Sequence, residues 1–174
     1  MVYFNAGMMQ KTGGDKKNIF SYKACVQVIL VILLLFTVQV SKAQTAAYIK
    51  RHKKMAQTYS RQYNIPVGVI LSVAVVESSS GRADVARRYH NHFGVVGKNR
   101  HSKSKKRSRY KEYVNTAASY RDFCEIVSRK QFYSRLKGTD DCKQWITAIS
   151  HTGYSEHPAE WSKRVQHVLV AYHL

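Results

Sequence analysis

Glu77 closes an apolar run. From Pro66 the chain reads PVGVILSVAVV, then Glu77, three serines and Gly81. A carboxylate set against aliphatic side chains has its charged form disfavoured, so its pKa rises. A helix C-terminus carries partial negative charge and pushes the same way. A carboxyl still protonated near neutral pH can hand its proton to a leaving oxygen. The plainer alternative is a structural glutamate just past a core helix, and one carboxylate alone does not decide between the two. Metal chemistry has less to build on. His90, His92, His101, His151 and His157 show no ligand spacing with supporting Cys or Asp, so no metal and no cofactor is assigned.

The elements that must position Glu77 can be read from periodicity and caps. Pro66 suits a first helical turn, where its missing N–H has no partner to lose. Gly81 suits the exit, where a left-handed residue costs glycine little. Val67, Val69, Ile70, Leu71, Val73, Ala74, Val75 and Val76 leave no polar face. The spacing predicts a buried helix, too short to span a bilayer. Before it, Thr45–Tyr63 reads as an amphipathic helix, with Tyr48, Ile49, His52, Met55, Ala56, Tyr59 and Tyr63 on one face. After it come a short helix over Arg82–Tyr89 and a loop, His90–Gly97. The basic stretch Lys98–Lys111 follows, read as a hairpin or mobile loop. Asn115 or Thr116 can cap a helix over Ala117–Arg129. Asp141 with Gln144 three residues on is a capping-box pattern. That helix stops near Thr152-Gly153. Pro158 opens a last helix with Trp161, Val165, Val168, Leu169 and Tyr172 on one face. For Trp161 this stripe favours plain core packing.

The front of the chain is different. Met1–Lys23 is polar and lysine-bearing, Ala24–Val40 is apolar, and Ser41-Lys42-Ala43 offers small residues before a cut. This pattern describes a signal peptide over residues 1–43, or an uncleaved N-terminal membrane anchor. Either way residues 44–174 are expected to be exported, to the periplasm, the cell envelope or the medium, touching membrane only through the N-terminal segment. That part keeps 24 of the 29 Lys and Arg and 9 of the 10 acids, a net charge of +15. Such a surface seeks polyanions: nucleic acid, anionic lipid or an acidic wall polymer. The export signal argues against intracellular nucleic acid. Cys124 and Cys142 can pair in an oxidising compartment or stand as free thiols, and a domain of this size needs no staple.

Four motifs in order carry a resemblance. They are Ala74-Val75-Val76-Glu77-Ser78-Ser79-Ser80-Gly81, His90-Asn91-His92-Phe93-Gly94, Tyr110-Lys111-Glu112-Tyr113 with Ser119-Tyr120-Arg121-Asp122, and Gly153-Tyr154-Ser155-Glu156-His157-Pro158. From about Tyr48 onward the chain resembles the glucosaminidase domain of glycoside hydrolase family 73. These are peptidoglycan-cleaving endo-β-N-acetylglucosaminidases with a lysozyme-like fold. The resemblance implies a mostly α, lysozyme-like helical domain with a small basic β-hairpin or loop. It implies Glu77 as general acid, Tyr154 as a second catalytic residue lining the cleft near the scissile bond, and Asn91, Phe93 and Gly94 at a sugar-binding floor. Sugar rings pack apolar C–H faces on aromatics and need donors and acceptors at their rim, which agrees.

One departure stands out. Many family members place a second carboxylate in the hairpin after the N-x-F-G loop. Here Val96–Lys111 contains no Asp or Glu, and Glu112, Glu156 and Glu160 do not match that position. The substrate's own N-acetyl group can assist, or an anhydro product can form as in lytic transglycosylases, or the domain can bind wall without turnover. The expected activity is hydrolysis of peptidoglycan glycan strands next to N-acetylglucosamine. The alternative is a non-catalytic wall- or polyanion-binding module of an envelope machine of conjugation type. Secretion or conjugation proteins would be its partners, with no specific nucleic acid.

Overall fold

A computed structural model describes residues 15–97 and 108–174. The chain divides into two compact units, Met1–Lys42 and Ala43–Leu174. In the first unit the described residues belong to helix α1, Asp15–Tyr63. Its apolar stretch is long enough by length and composition to cross a membrane. Leu30, Ile32 and Leu34 there are each more than half exposed.

In the second unit the end of α1 is followed by α2 (Val67–Ser78), α3 (Asp84–Tyr89), α4 (Thr116–Ser128), α5 (Tyr133–Leu136) and α6 (Cys142–Ile149). A wide turn, Ser150–Tyr154, then leads to α7 (Pro158–Ala171). The centre is α2. Val69, Ile70, Leu71, Val73 and Ala74 are fully buried, and α7 and α6 pack directly against this helix. The stripes on the neighbouring helices supply Tyr48, Ala56, Phe123, Trp145, Ile146 and Val165 to the same core. Caps fall where local chemistry placed them. Asn115 accepts from the Ala118 N–H at 2.9 Å, Asp141 accepts from the Gln144 N–H at 3.0 Å, and Pro158 opens α7. Strand structure among the described residues is slight. Val96 bridges Tyr110 antiparallel, with Gly97 N–H on the Arg109 carbonyl (3.0 Å) and Lys111 N–H on that of Val95 (2.8 Å). The middle of the expected hairpin, Lys98–Arg107, lies outside the described residues. Cys124 is buried and Cys142 half-buried, both as free thiols.

The exit of α2 differs from the sequence expectation. The left-handed turn begins at Ser79, not at Gly81. Ser79, Ser80 and Gly81 take φ of 50°, 57° and 80° in succession. Two serines in that region cost about 1–2 kcal/mol each. Local bonds offset this. The Ser80 N–H reaches the Val75 carbonyl at 2.9 Å. The Ser78 hydroxyl donates to the Ala74 carbonyl at 2.6 Å and accepts from the Gly81 N–H at 2.8 Å. The Ser80 and Thr45 hydroxyls bond across to α1 at 2.9 Å.

A buried polar cluster ties α1 to the loop after α3. The Tyr48 hydroxyl lies 2.8 Å from His92 Nδ1 and 3.0 Å from the Tyr120 hydroxyl. The His52 Nδ1 donates to the Tyr48 carbonyl at 2.8 Å. Burial, reinforced by His52 and His90, pushes the His92 pKa down to about 4, and burial also lowers that of His52. A histidine kept neutral by the fold binds fewer protons folded than unfolded. Its contribution is therefore fully present above the unfolded pKa near 6.5 and is lost as pH falls towards the folded value. For His92 this amounts to about 3 kcal/mol. Unfolding midpoints measured from pH 7 to pH 4 should fall, and His92→Asn should flatten that slope. An unchanged slope would show that His92 does not carry the effect.

Candidate active site

The last turn of α2 brings Glu77 between α7 and the loop after α3. The carboxyl is half-buried. On one side the Trp161 Nε1–H donates to Glu77 Oε1 at 2.6 Å. On the other, Gly94 crosses the second oxygen with φ of +63°, and a Cβ there would stand 3.2 Å from Oε2. Glycine is required twice over, for the backbone angle and for the space. Tyr154 arrives from the wide turn after α6. Its ring centre is 5.3 Å from that of Trp161, and its hydroxyl donates to the Phe93 carbonyl at 2.7 Å.

Electrostatics follow from this setting. Burial raises the Glu77 pKa above the usual carboxylate range, and the Trp161 N–H and the Arg164 charge oppose it more weakly. Burial, then the Glu77 charge and Tyr113, holds the Tyr154 hydroxyl far above its ordinary value. The Tyr154 hydroxyl is thus neutral, with its proton held by the Phe93 carbonyl. Asp122 is committed elsewhere. The Lys111 ammonium (2.8 Å) and the Tyr113 hydroxyl (2.6 Å) both bond its Oδ2. Glu156 and Glu160 are exposed and Glu112 half-buried.

Of the residues singled out in the sequence, Glu77, Gly94 and Tyr154 converge. Asn91 and Phe93 do not face the same space, since both are 1% exposed. The Asn91 amide donates to the carbonyls of Val95 and Lys111, each at 2.9 Å, and its oxygen accepts from the Val95 N–H at 3.1 Å. Phe93 stacks on Phe123 at 4.2 Å and meets the edge of Tyr120 at 4.8 Å. A side chain so buried offers no face to a sugar. These two residues hold the loop that carries Gly94. Trp161 is the opposite case. It is a core residue, 4% exposed, and also the hydrogen-bond partner of Glu77. The available signal was general: a buried indole N–H needs an acceptor.

A family model described as Glucosaminidase, mannosyl-glycoprotein endo-beta-N-acetylglucosaminidase, matches residues 53–174. The chain belongs to this glucosaminidase family. Solved structures agree on the fold. The catalytic domain of the autolysin Auto from Listeria monocytogenes superposes with a TM-score of 0.62 at 16% identity, over 75% of this chain and 85% of that one. A C-terminally truncated glycoside hydrolase domain of FlgJ from Salmonella typhimurium gives 0.60 at 18% identity, over 73% and 96%. A type VI secretion system effector–immunity complex from Pseudomonas protegens gives 0.57 at 16% identity, over 75% and 95%. No curated protein matches the chain. The glucosaminidase domain is mostly helical and lysozyme-like, as the sequence resemblance implied.

Proposed function

We propose that this glucosaminidase-family domain is a peptidoglycan hydrolase that cleaves the glycan strand next to N-acetylglucosamine, with Glu77 as general acid. The observation that carries the reading is the Glu77 carboxyl itself, half-buried with a raised pKa and gripped at one oxygen by Trp161. With Oε1 bonded to the indole, Oε2 beside Gly94 is the oxygen free to carry the proton. It protonates the glycosidic oxygen as the bond to the anomeric carbon breaks. The substrate's acetamido oxygen then closes on that carbon. Water opens the ring and returns a proton to Glu77. Tyr154, neutral and beside the carboxyl, orients the reacting sugar. Among the similar solved structures, the autolysin catalytic domain from Listeria, the glycoside hydrolase domain from Salmonella and a peptidoglycan hydrolase from Sphingomonas sp. A1 (TM-score 0.55 at 15% identity) support the substrate class. Residues 1–43 then act as signal or anchor and set the domain in the cell envelope or outside it.

A second reading, a wall-binding module without turnover, is favoured by the net charge of +15 over residues 44–174, where 24 basic residues face 9 acids. Digestion of purified sacculi separates the two. Soluble muropeptides with reducing N-acetylglucosamine ends are the expected result by mass spectrometry. Anhydro ends would replace hydrolysis by transglycosylation, and protein pelleting with sacculi without soluble product would favour the binding module.

A further inference from the structure

Three open grooves join end to end along the face made by α5, α6, α7 and the exit of α2. The first, about 670 Å³, lies between α5 and α6. The second, about 860 Å³, lies between α6 and α7 and shares Lys143, Thr147 and His151 with it. The third, about 440 Å³, lies between α7 and the end of α2 and shares Lys163 and His167 with the second. Among the residues lining all three, none is Asp or Glu. Lys143, Lys163, Arg164 and Arg82 stand exposed along the path. Low-dielectric walls bearing one sign of charge focus the field along such a track.

The floor narrows the chemistry. It is aliphatic: Leu136 and Ala148 in the first groove, Val75, Val76 and Val168 in the third. Single-stranded nucleic acid is gripped by aromatic platforms between cations, and of the aromatic carbocycles only Phe132 lines this track. Duplex, which needs only the cations, is an arm of the test below. Gln144 and Gln166 line the first and second grooves. Each donates its Nε2 locally, to Asp141 and Ser162, and their amide oxygens can accept from a peptide N–H. We infer that this groove binds a short acidic peptide with small aliphatic side chains, of the kind that branches from the wall glycan. It rests on the wall-glycan reading above, since the peptide arrives attached to the strand being cut.

The test uses the full chain in mild detergent, as Glu77→Gln so that polymer is not consumed. It is pelleted with intact sacculi and, because strands freed of their peptide cross-links are soluble, with amidase-stripped glycan strands coupled to beads at matched disaccharide content. About tenfold tighter binding to intact sacculi is expected, the size of two or three exposed ion pairs. Adding Lys143→Glu and Lys163→Glu should erase that preference with an unchanged unfolding midpoint. Equal affinity for both polymers, or a preference that survives the double charge reversal, overturns the inference. So does tighter binding to a short duplex DNA than to intact sacculi. The hydrolase reading is judged apart from this, by release of reducing ends from stripped strands by the native chain: the groove can fail while that release persists, and release can fail while the preference holds.

Discussion

Glu77→Gln should reduce the release of reducing ends from sacculi by about 10²–10⁴-fold, the usual contribution of a positioned general acid. The substitution is well posed because glutamine preserves what the structure needs from the side chain. Its amide oxygen can still accept the Trp161 indole N–H, now 2.6 Å from Oε1, and its volume still fills the gap beside Gly94. What it lacks is an exchangeable acidic proton. Stability moves the other way. A carboxyl whose folded pKa is raised binds more protons folded than unfolded. Its contribution therefore falls as pH rises from the ordinary carboxylate value through the folded one. A neutral glutamine is free of that penalty, so the variant should unfold at or above the native midpoint at pH 7. Turnover within a factor of three of native by a folded Glu77→Gln protein would remove Glu77 from the acid role.

The geometry around this carboxyl was legible in proportion to how local its causes are. Caps, the proline start of α7 and the apolar run of α2 are set within one or two helical turns, and each lies where residue types alone put it. The position of Glu77 follows from the same run. The exit of α2 begins two residues before the glycine that residue types point to. Glycine is a strong local signal for a left-handed backbone, whereas Ser79 and Ser80 adopt it because Ser78 and Thr45 bond the turn from outside. Nothing in a serine's own type announces that.

The partner of Glu77 was hidden for a different reason. Trp161 lies on a helical stripe with Val165 and Leu169, so periodicity assigns it to the core, and its burial agrees. Periodicity cannot say where the indole N–H points, and its acceptor lies 84 positions earlier in the chain. The same blindness affected Asn91 and Phe93. A motif names residue types near a site but does not distinguish a side chain that touches substrate from one that holds the touching segment in place.

Asn91→Ala turns that distinction into a measurement. Asn91 satisfies the Val95 N–H and, through its amide, the carbonyls of Val95 and Lys111. The Val95 carbonyl keeps a second donor in the Lys111 N–H at 2.8 Å. The Val95 N–H and the Lys111 carbonyl lose the bonds that Asn91 makes with them. Each polar group left unmet costs about 1–3 kcal/mol when buried, and these two are part-buried, so a loss of about 2–3 kcal/mol is expected, read as a lower denaturant midpoint with an unchanged slope. Activity should fall as well, at temperatures where the variant remains folded. The loop carries Gly94 against Glu77 Oε2 and supplies the Phe93 carbonyl on which Tyr154 is anchored, so freeing it loosens both sides of the carboxyl at once. A residue that instead contacts sugar directly would raise KM and leave stability nearly unchanged. A native midpoint with an elevated KM would therefore return Asn91 to the substrate floor, and a lowered midpoint with a kcat loss assigns it to the clamp that keeps Gly94 in place.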